Sequence, residues 1–402
     1  MGVGIGRPFP TWRWPMANPF KPTAGMTPPV LVGRQRDLDD FSYALDDGVG
    51  APGRLMYVTG ARGVGKTVML NALGDLARQR KWQVIDETAE SKFMQRLIET
   101  LRQSPRRGIG SVTLPSASMS VAGTPVDAQV NLGSVEFEAA EHALNFRMAM
   151  TERLDKLEKK NRGILITLDE VQASSLPEMR SLATAVQHLI RERRNVAFVF
   201  AGLPSMVEDV INDDVLTFLR RAERRHLGDV PLAEVRKAFQ ETITQNGKHA
   251  DADTLDTLAQ ATNGYPFMIQ LVGYWAWRDS QANTQDSQDE LTIENAREGI
   301  KQAKIKLGDM VHGPALDGLS AMGRDYLLAM AQDDGPSATS DIAKRLERDL
   351  GYANVYRTQL IKEDIIYQSS YGYVDFKLPY LRDYLREHDA YHQMRKNLSG
   401  SE

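Results

Sequence analysis

The densest chemistry in the chain lies in Gly60-Ala61-Arg62-Gly63-Val64-Gly65-Lys66-Thr67-Val68. The spacing is G-x-x-x-x-G-K-[ST], and each fixed residue has a task. Glycines at 60, 63 and 65 let backbone N–H groups face an anion with no Cβ in the way, Lys66 reaches the β- and γ-phosphates, and the Thr67 hydroxyl ligates Mg²⁺. A chance match in a chain this long is on the order of 1% from ordinary residue frequencies. A nucleoside triphosphate also needs carboxylates at the same sheet edge, and the apolar run Gly163-Ile164-Leu165-Ile166-Thr167-Leu168 ends in Asp169-Glu170. Asp169 would hold Mg²⁺ through water. Glu170 would orient and deprotonate the attacking water, because phosphoryl transfer needs a positioned nucleophile and neutralised charge more than covalent chemistry. The implied chemistry is Mg²⁺-assisted hydrolysis of a nucleoside triphosphate to the diphosphate and phosphate.

Those residues meet only if particular elements carry them. The apolar stretch 54–59 predicts a strand entering the glycine-rich loop, and the spacing over 67–79 predicts a helix leaving it, whose N-terminal partial charge favours the same phosphates. Short apolar runs at 55–59, 82–86, 163–168, 195–201 and 226–230 alternate with helical patterns at about 66–80, 91–103, 136–160, 177–193 and 205–224. The fold class is therefore α/β, a P-loop NTPase parallel sheet with helices on both faces. Residues 106–135 alternate around Gly123 and predict an inserted β-hairpin. Helical spacing over 232–245, 252–261, 266–279 and 293–306 predicts a helical lid. Helices over 316–331, 341–350 and 355–363, two short strands at 365–368 and 373–376, and a closing helix from Pro379 follow the order of a winged helix-turn-helix. The domain plan is an extended arm over 1–30, a core over 31–230, a lid over 231–312, a winged helix over 313–392 and a tail over 393–402.

Composition excludes several classes. With 402 residues, 42% apolar and 25% charged, the chain reads as a globular protein of two or three domains. Its 49 Lys+Arg against 53 Asp+Glu give a net charge of −4, so no global positive field attracts a polyanion, and any such partner must be held locally. No stretch approaches the roughly 18 apolar residues of a membrane span, so the expectation is a cytoplasmic protein with no membrane partner. The absence of cysteine removes disulfides, thiol catalysis and Cys-ligated metals. Of seven scattered histidines only His388 and His392 have helix spacing, and a surface helix is the simpler reading of that pair than a metal site.

The segment Leu31-Val32-Gly33-Arg34-Gln35-Arg36-Asp37-Leu38, the glycine-rich loop and Leu168-Asp169-Glu170-Val171 together resemble the AAA+ and STAND classes of P-loop ATPases, over about residues 30–310. The resemblance implies that Val32, Gly33 and Arg34 flank the adenine. It likewise implies that Gly264-Tyr265-Pro266 is the G-x-P element that STAND proteins place near the nucleotide, with Pro266 beside it. There are departures: no arginine occupies the helix after Pro266, and Gly202 stands where the fourth strand would end in a polar sensor. Ser205 either substitutes for that sensor or caps a helix. The resemblance implies ATP or ADP with Mg²⁺ as the bound groups, and slow or partner-dependent hydrolysis of ATP to ADP and phosphate. Arg220, Arg221, Arg224 and Arg225 precede the predicted fifth strand, where these ATPases carry an arginine that enters a neighbouring subunit's site. Either Arg221 does so, in a nucleotide-dependent homo-oligomer, or the cluster is a solvated helix face.

The appended module is similar to that of origin-recognition initiator ATPases and of ATPases that regulate transposition. This implies a reading helix over 352–362, with Asn354, Tyr356, Arg357 and Lys362 toward double-stranded DNA. Charge argues the other way. Residues 314–402 hold 11 Lys+Arg against 14 Asp+Glu, a net of −3, and duplex affinity is largely phosphate neutralisation. The module alone should therefore bind DNA weakly, with oligomerisation adding contacts, or else it is a protein-docking or autoinhibitory module. Two functions stand: an ATP-hydrolysing switch that couples nucleotide state to DNA or protein binding, or a scarcely hydrolysing nucleotide-loaded scaffold. A metabolic kinase is disfavoured, since the lid resembles no acceptor-binding domain.

Overall fold

Five runs of β-forming residues become one sheet. Leu55–Gly60 (β1), Gln83–Thr88 (β2), Ile164–Asp169 (β3), Val196–Gly202 (β4) and Glu223–Leu227 (β5) pair in parallel in the order β2-β3-β4-β1-β5. This is a computed structural model, and it describes residues 17–23, 25–26, 31–103, 132–204, 207, 219–282 and 289–387. The central strands β3 and β4 are buried along nearly their whole length, as unbroken Ile/Leu/Val/Phe runs require when helices cover both faces. On one face Met69, Leu70 and Leu73 of Lys66–Gln79 (α2) pack on Val58, Leu165 and Val199. On the other, Phe93–Arg102 (α3), Leu132–Leu157 (α4) and Leu176–Arg191 (α5) bring Leu97, Phe146 and Leu182 against Tyr57, Ile166 and Phe198. A further helix, Gln35–Asp46 (α1), precedes β1 and buries Phe41.

The α2-side core continues without a break into the lid. Leu232–Gln245 (α6), Ala252–Gln260 (α7), Pro266–Ala282 (α8) and Ile293–Leu307 (α9) contribute Phe239, Leu258, Trp277 and Ala303 to the same apolar cluster. These boundaries follow the amphipathic spacing and its caps. Asp251 accepts from Thr254 N–H, and Thr292 forms a reciprocal capping box with Asn295, satisfying N–H groups that a helix start leaves orphaned. Part of the N-terminal arm is packed here too. Phe20 is 3% exposed and tilts against the Phe239 ring at 5.7 Å, while the Asn18 amide donates to Tyr274 O at 2.9 Å.

The C-terminal module has its own core of Tyr326, Leu327, Met330, Ile342, Leu360 and Val374. Gly313–Asp317 (α10), Ala321–Ala331 (α11), Thr339–Arg345 (α12) and Leu350–Lys362 (α13) accompany a sheet of Ser337–Ala338 (β6), Ile366–Ser370 (β7) and Tyr373–Phe376 (β8), in the order β6-β8-β7. Helices beside a small antiparallel sheet are consistent with a winged helix. A helical turn over 381–387 closes it.

Several expectations need correction. The helix over 316–331 is two helices: Gly318 ends the first and Ser320 caps the second by accepting from Gly323 N–H at 3.1 Å. The helix over 341–350 stops at Arg345, and the helix expected over 355–363 begins at Leu350, because Asp349 accepts from Tyr352 N–H at 2.9 Å and starts it earlier. The wing has three strands, the two-residue β6 being too short to carry a periodic signal. The fifth strand is Glu223–Leu227, not 226–230, so Arg224 and Arg225 lie in it and only Arg220 and Arg221 precede it. An edge strand tolerates such charge and is protected by it. Of the hairpin expected over 106–135, residues 132–135 are helical, and the remainder lies outside the described residues, as do Ser205, His388 and His392. No described helix is long and apolar enough to cross a membrane.

Candidate functional site

The order β3-β4-β1 puts the carboxyl ends of β1 and β3 on one sheet edge with a single strand between them. The turn out of β1 is possible because Gly65, φ +93°, adopts the left-handed conformation that lets α2 begin at Lys66. Across this edge the Thr67 hydroxyl donates to Asp169 Oδ2 at 2.6 Å. Glu170, the next residue, is exposed and left-handed (φ +56°), with its N–H donating to Asp169 Oδ1 at 2.9 Å. The sequence motifs separated by about a hundred residues are thus one constellation.

Lys66 Nζ donates to Gly60 O and Ala61 O, both at 2.8 Å, so the ammonium is held inside the curl of its own loop. Burial lowers its pKa to about 8, against the charges of Asp169, Asp364 and Glu170, which favour the ammonium. An ammonium held on two carbonyl oxygens, with no carboxylate within ion-pair distance among the described residues, in a glycine-lined loop at a helix N-terminus fits an arriving phosphate. Among the described residues no group of three or more His, Asp or Glu side chains could hold a metal. Thr67 and Asp169 would therefore hold Mg²⁺ only together with phosphate oxygens, the usual arrangement for this ion.

Tyr265 is the residue that sequence reasoning left without a role. It is 2% exposed, and its hydroxyl donates to Arg62 O at 2.7 Å. A Cβ on Gly63 would lie 1.9 Å from that hydroxyl, so the glycine is needed there for close approach of the lid. Burial, with the charges of Asp229 and Asp364, pushes the phenol far above its ordinary range and keeps it a donor. The signal was present, since Tyr265 is the central residue of the G-x-P element. Pro266 opens α8 directly after it.

The box before α1 sits at the junction of core and lid. Arg34 Nη2 donates to Gly228 O just after β5, and a Cβ on Gly33 would meet Val230 at 3.0 Å and Glu234 at 3.1 Å. Val32 lines a small groove with Pro19, Phe20, Phe239 and Ile269. Ala61 and Val64 are buried in the α2-side core, Arg62 is exposed and Val68 half-buried. Gly202 ends β4 where a Cβ would come within 2.8 Å of Val171 O. A side chain at 202 would therefore press on the backbone of residue 171.

Among the four arginines, Arg225 is taken by Asp37, Asp40 and Glu223, and Arg224 stacks 5.8 Å over Tyr57. Arg221 is exposed, with no hydrogen bond or ion pair among the described residues. In the C-terminal module Asn354 and Lys362 are exposed on α13, while Tyr356 leans on Tyr352 and Arg357 donates to Gln368 Oε1 at 2.7 Å. At least Tyr356 and Arg357, of the residues expected to meet DNA, are therefore partly engaged within the module.

Comparison with known proteins agrees with this geometry. Residues 30–199 match the model of an AAA ATPase domain, and residues 309–385 match a domain of unknown function, DUF8462. No curated protein matches the chain. Among solved structures, a Walker-type ATPase of Pyrococcus abyssi is 15% identical with a TM-score of 0.58, over 89% of this chain and 96% of that one. The ORC2 protein of Aeropyrum pernix in ADPNP–ADP complexes is 13% identical with a TM-score of 0.58, over 91% and 96%. At such identities the likeness shows fold. The chain carries an AAA+ P-loop ATPase domain and is built like origin-recognition proteins.

Proposed function

We propose that the protein is a nucleotide-dependent switch: it binds ATP with Mg²⁺ between core and lid, hydrolyses it, and transmits the change to DNA or a protein through the C-terminal module. The observation that carries this reading is the Thr67–Asp169 hydrogen bond with Glu170 beside it and Lys66 in the same loop. Lys66 and the loop N–H groups take the β- and γ-phosphates. Thr67 and Asp169 would hold Mg²⁺, which would supply charge neutralisation at the phosphates when bound. Glu170 accepts the proton of the attacking water, and Tyr265 ties the lid to Arg62 O so that events at the phosphates reach α8. Val32, Gly33 and Arg34 border the base. Arg221, exposed and unpaired among the described residues, enters a neighbouring subunit's site in a homo-oligomer.

A second reading is favoured by Gly202, which leaves the sensor position without a polar group. In it the protein scarcely hydrolyses ATP and serves as a nucleotide-loaded scaffold whose C-terminal module docks a protein. The net charge of −3 over 314–402 and the 96% exposed Tyr371 suit protein docking better than DNA. Single-turnover ATP hydrolysis, with and without duplex DNA, and solution sizing with ADP and a non-hydrolysable analogue separate the two. The switch predicts turnover that DNA or assembly accelerates, and a larger species with the analogue only. Turnover indistinguishable from background under every condition would leave the scaffold.

A further inference from the structure

Three successive carbonyls of the glycine-rich loop are held by donors that come from two different places. Gly60 O and Ala61 O accept from Lys66 Nζ, and Arg62 O accepts from the Tyr265 hydroxyl at 2.7 Å. The first two bonds belong to the side chain that turns toward an arriving phosphate. The third comes from 203 residues away, just before the lid helix α8, so transfer of the ammonium to a phosphate does not break it.

Tyr265 is fixed by what surrounds it. Its N–H donates to Thr262 O at 2.9 Å, and its carbonyl accepts from Ile269 N–H at 3.1 Å in the first turn of α8. Its neighbour Gly264 accepts from Val230 N–H at 2.8 Å, beyond the end of β5. The buried phenol therefore projects from a corner tied to both lid and sheet. A Cβ on Gly63 would lie 1.9 Å from its oxygen, so the loop backbone passes directly against it.

What the hydroxyl fixes is the plane of one peptide. The Arg62–Gly63 bond is trans, so its C=O and N–H point to opposite sides. A carbonyl drawn to Tyr265 turns the Gly63 N–H away from that side chain. Rotation of the peptide would put a carbonyl dipole where phosphate oxygens need a donor. Gly63 (φ +75°) has no Cβ to oppose such a rotation, so the restraint has to come from outside the loop.

We propose that Tyr265 is a positioning residue of the phosphate cradle, its hydroxyl holding the Arg62–Gly63 peptide with the N–H toward the phosphates. This role rests on the reading of residues 60–67 as that cradle. The loop's grip on phosphate then depends on where α8 sits, because the lid carries the donor. Acting through the loop, the hydroxyl serves ADP and ATP alike.

The test uses the full chain with Mg²⁺ and titrates ADP and a non-hydrolysable ATP analogue by calorimetry into wild type, Tyr265→Phe and Tyr380→Phe, well below the unfolding midpoint of each. Phenylalanine at 265 keeps the buried ring and loses only the hydroxyl. Affinity for both nucleotides should fall by a similar factor, roughly tenfold, the scale of one hydrogen bond lost from a buried carbonyl. Tyr380 supplies the control: its hydroxyl donates to Ala261 O at 2.8 Å, a tie of the same kind between the C-terminal module and the end of α7. Tyr380→Phe should leave both affinities within about twofold, as expected of a distant site. Unchanged affinities in Tyr265→Phe overturn the proposal, making the bond a structural tie alone. So does a loss confined to one nucleotide, which places the effect on a single phosphate, or an equal loss in Tyr380→Phe, which makes it general loosening of the lid. A wild-type chain that binds neither nucleotide overturns the cradle reading and this role with it.

Discussion

Lys66→Ala loses ATP binding: calorimetric affinity falls by roughly a hundredfold or more, the scale expected when charge-assisted contacts to two phosphates, each worth about 1.5–3 kcal/mol, are removed. The expectation follows from where the side chain is. Its ammonium is folded onto Gly60 O and Ala61 O, is half-buried, and has no carboxylate within ion-pair distance among the described residues. Truncation leaves the glycine backbone and α2 in place, so thermal stability should change little while binding collapses. There is also a pH signature. Burial lowers Lys66 to about 8, so the cation is fully present below that value and is lost as pH rises through it. A phosphate favours the ammonium, so binding above pH 8 should take up a proton and weaken with rising pH, seen as a heat that depends on buffer ionisation. Lys66→Ala should show no such dependence. Unchanged affinity in the variant would remove the assignment of the loop.

Glu170→Gln is expected to keep ATP and lose turnover. The substitution preserves shape and the backbone N–H bond to Asp169 Oδ1, yet removes the base, and general-base contributions are typically about 10²–10⁴-fold. Single-turnover rates should fall by that order while nucleotide affinity stays within about twofold. The left-handed backbone at Glu170 turns the chain out of β3 and leaves this side chain exposed at the sheet edge, and such conformations concentrate at sites where geometry is imposed by function. A variant as active as wild type would reassign the base.

Much of this was legible in the sequence, for identifiable reasons. The phosphate loop is local chemistry: fixed residue types at fixed spacing between a strand and a helix need no tertiary information. The Asp169-Glu170 pair is legible because a strand buried on both faces must be apolar until the edge where it delivers its charge. The lid helices are legible because the spacing of apolar residues and the caps at Asp251 and Thr292 agree. The strand order was not, since the alternating pattern is the same whether or not β4 intervenes between β1 and β3. Charge misplaced β5, because Arg224 and Arg225 on an edge strand look like the end of a helix. The two-residue β6 is fixed only by its partner β8. Phe20, in an arm without periodicity, is ordered by the groove between α6 and α8 rather than by its own neighbours.

The central claim is that a triphosphate rests on residues 60–67 while Thr67 and Asp169 share its metal. Crystals of the full chain grown with a non-hydrolysable ATP analogue and Mn²⁺ in place of Mg²⁺ test it through the anomalous signal of the metal. The account predicts one peak within coordination distance of the Thr67 hydroxyl, with phosphate density along the loop and Asp169 on the far side of the ion, direct or through one water. A metal peak elsewhere with phosphate density away from the loop would contradict it.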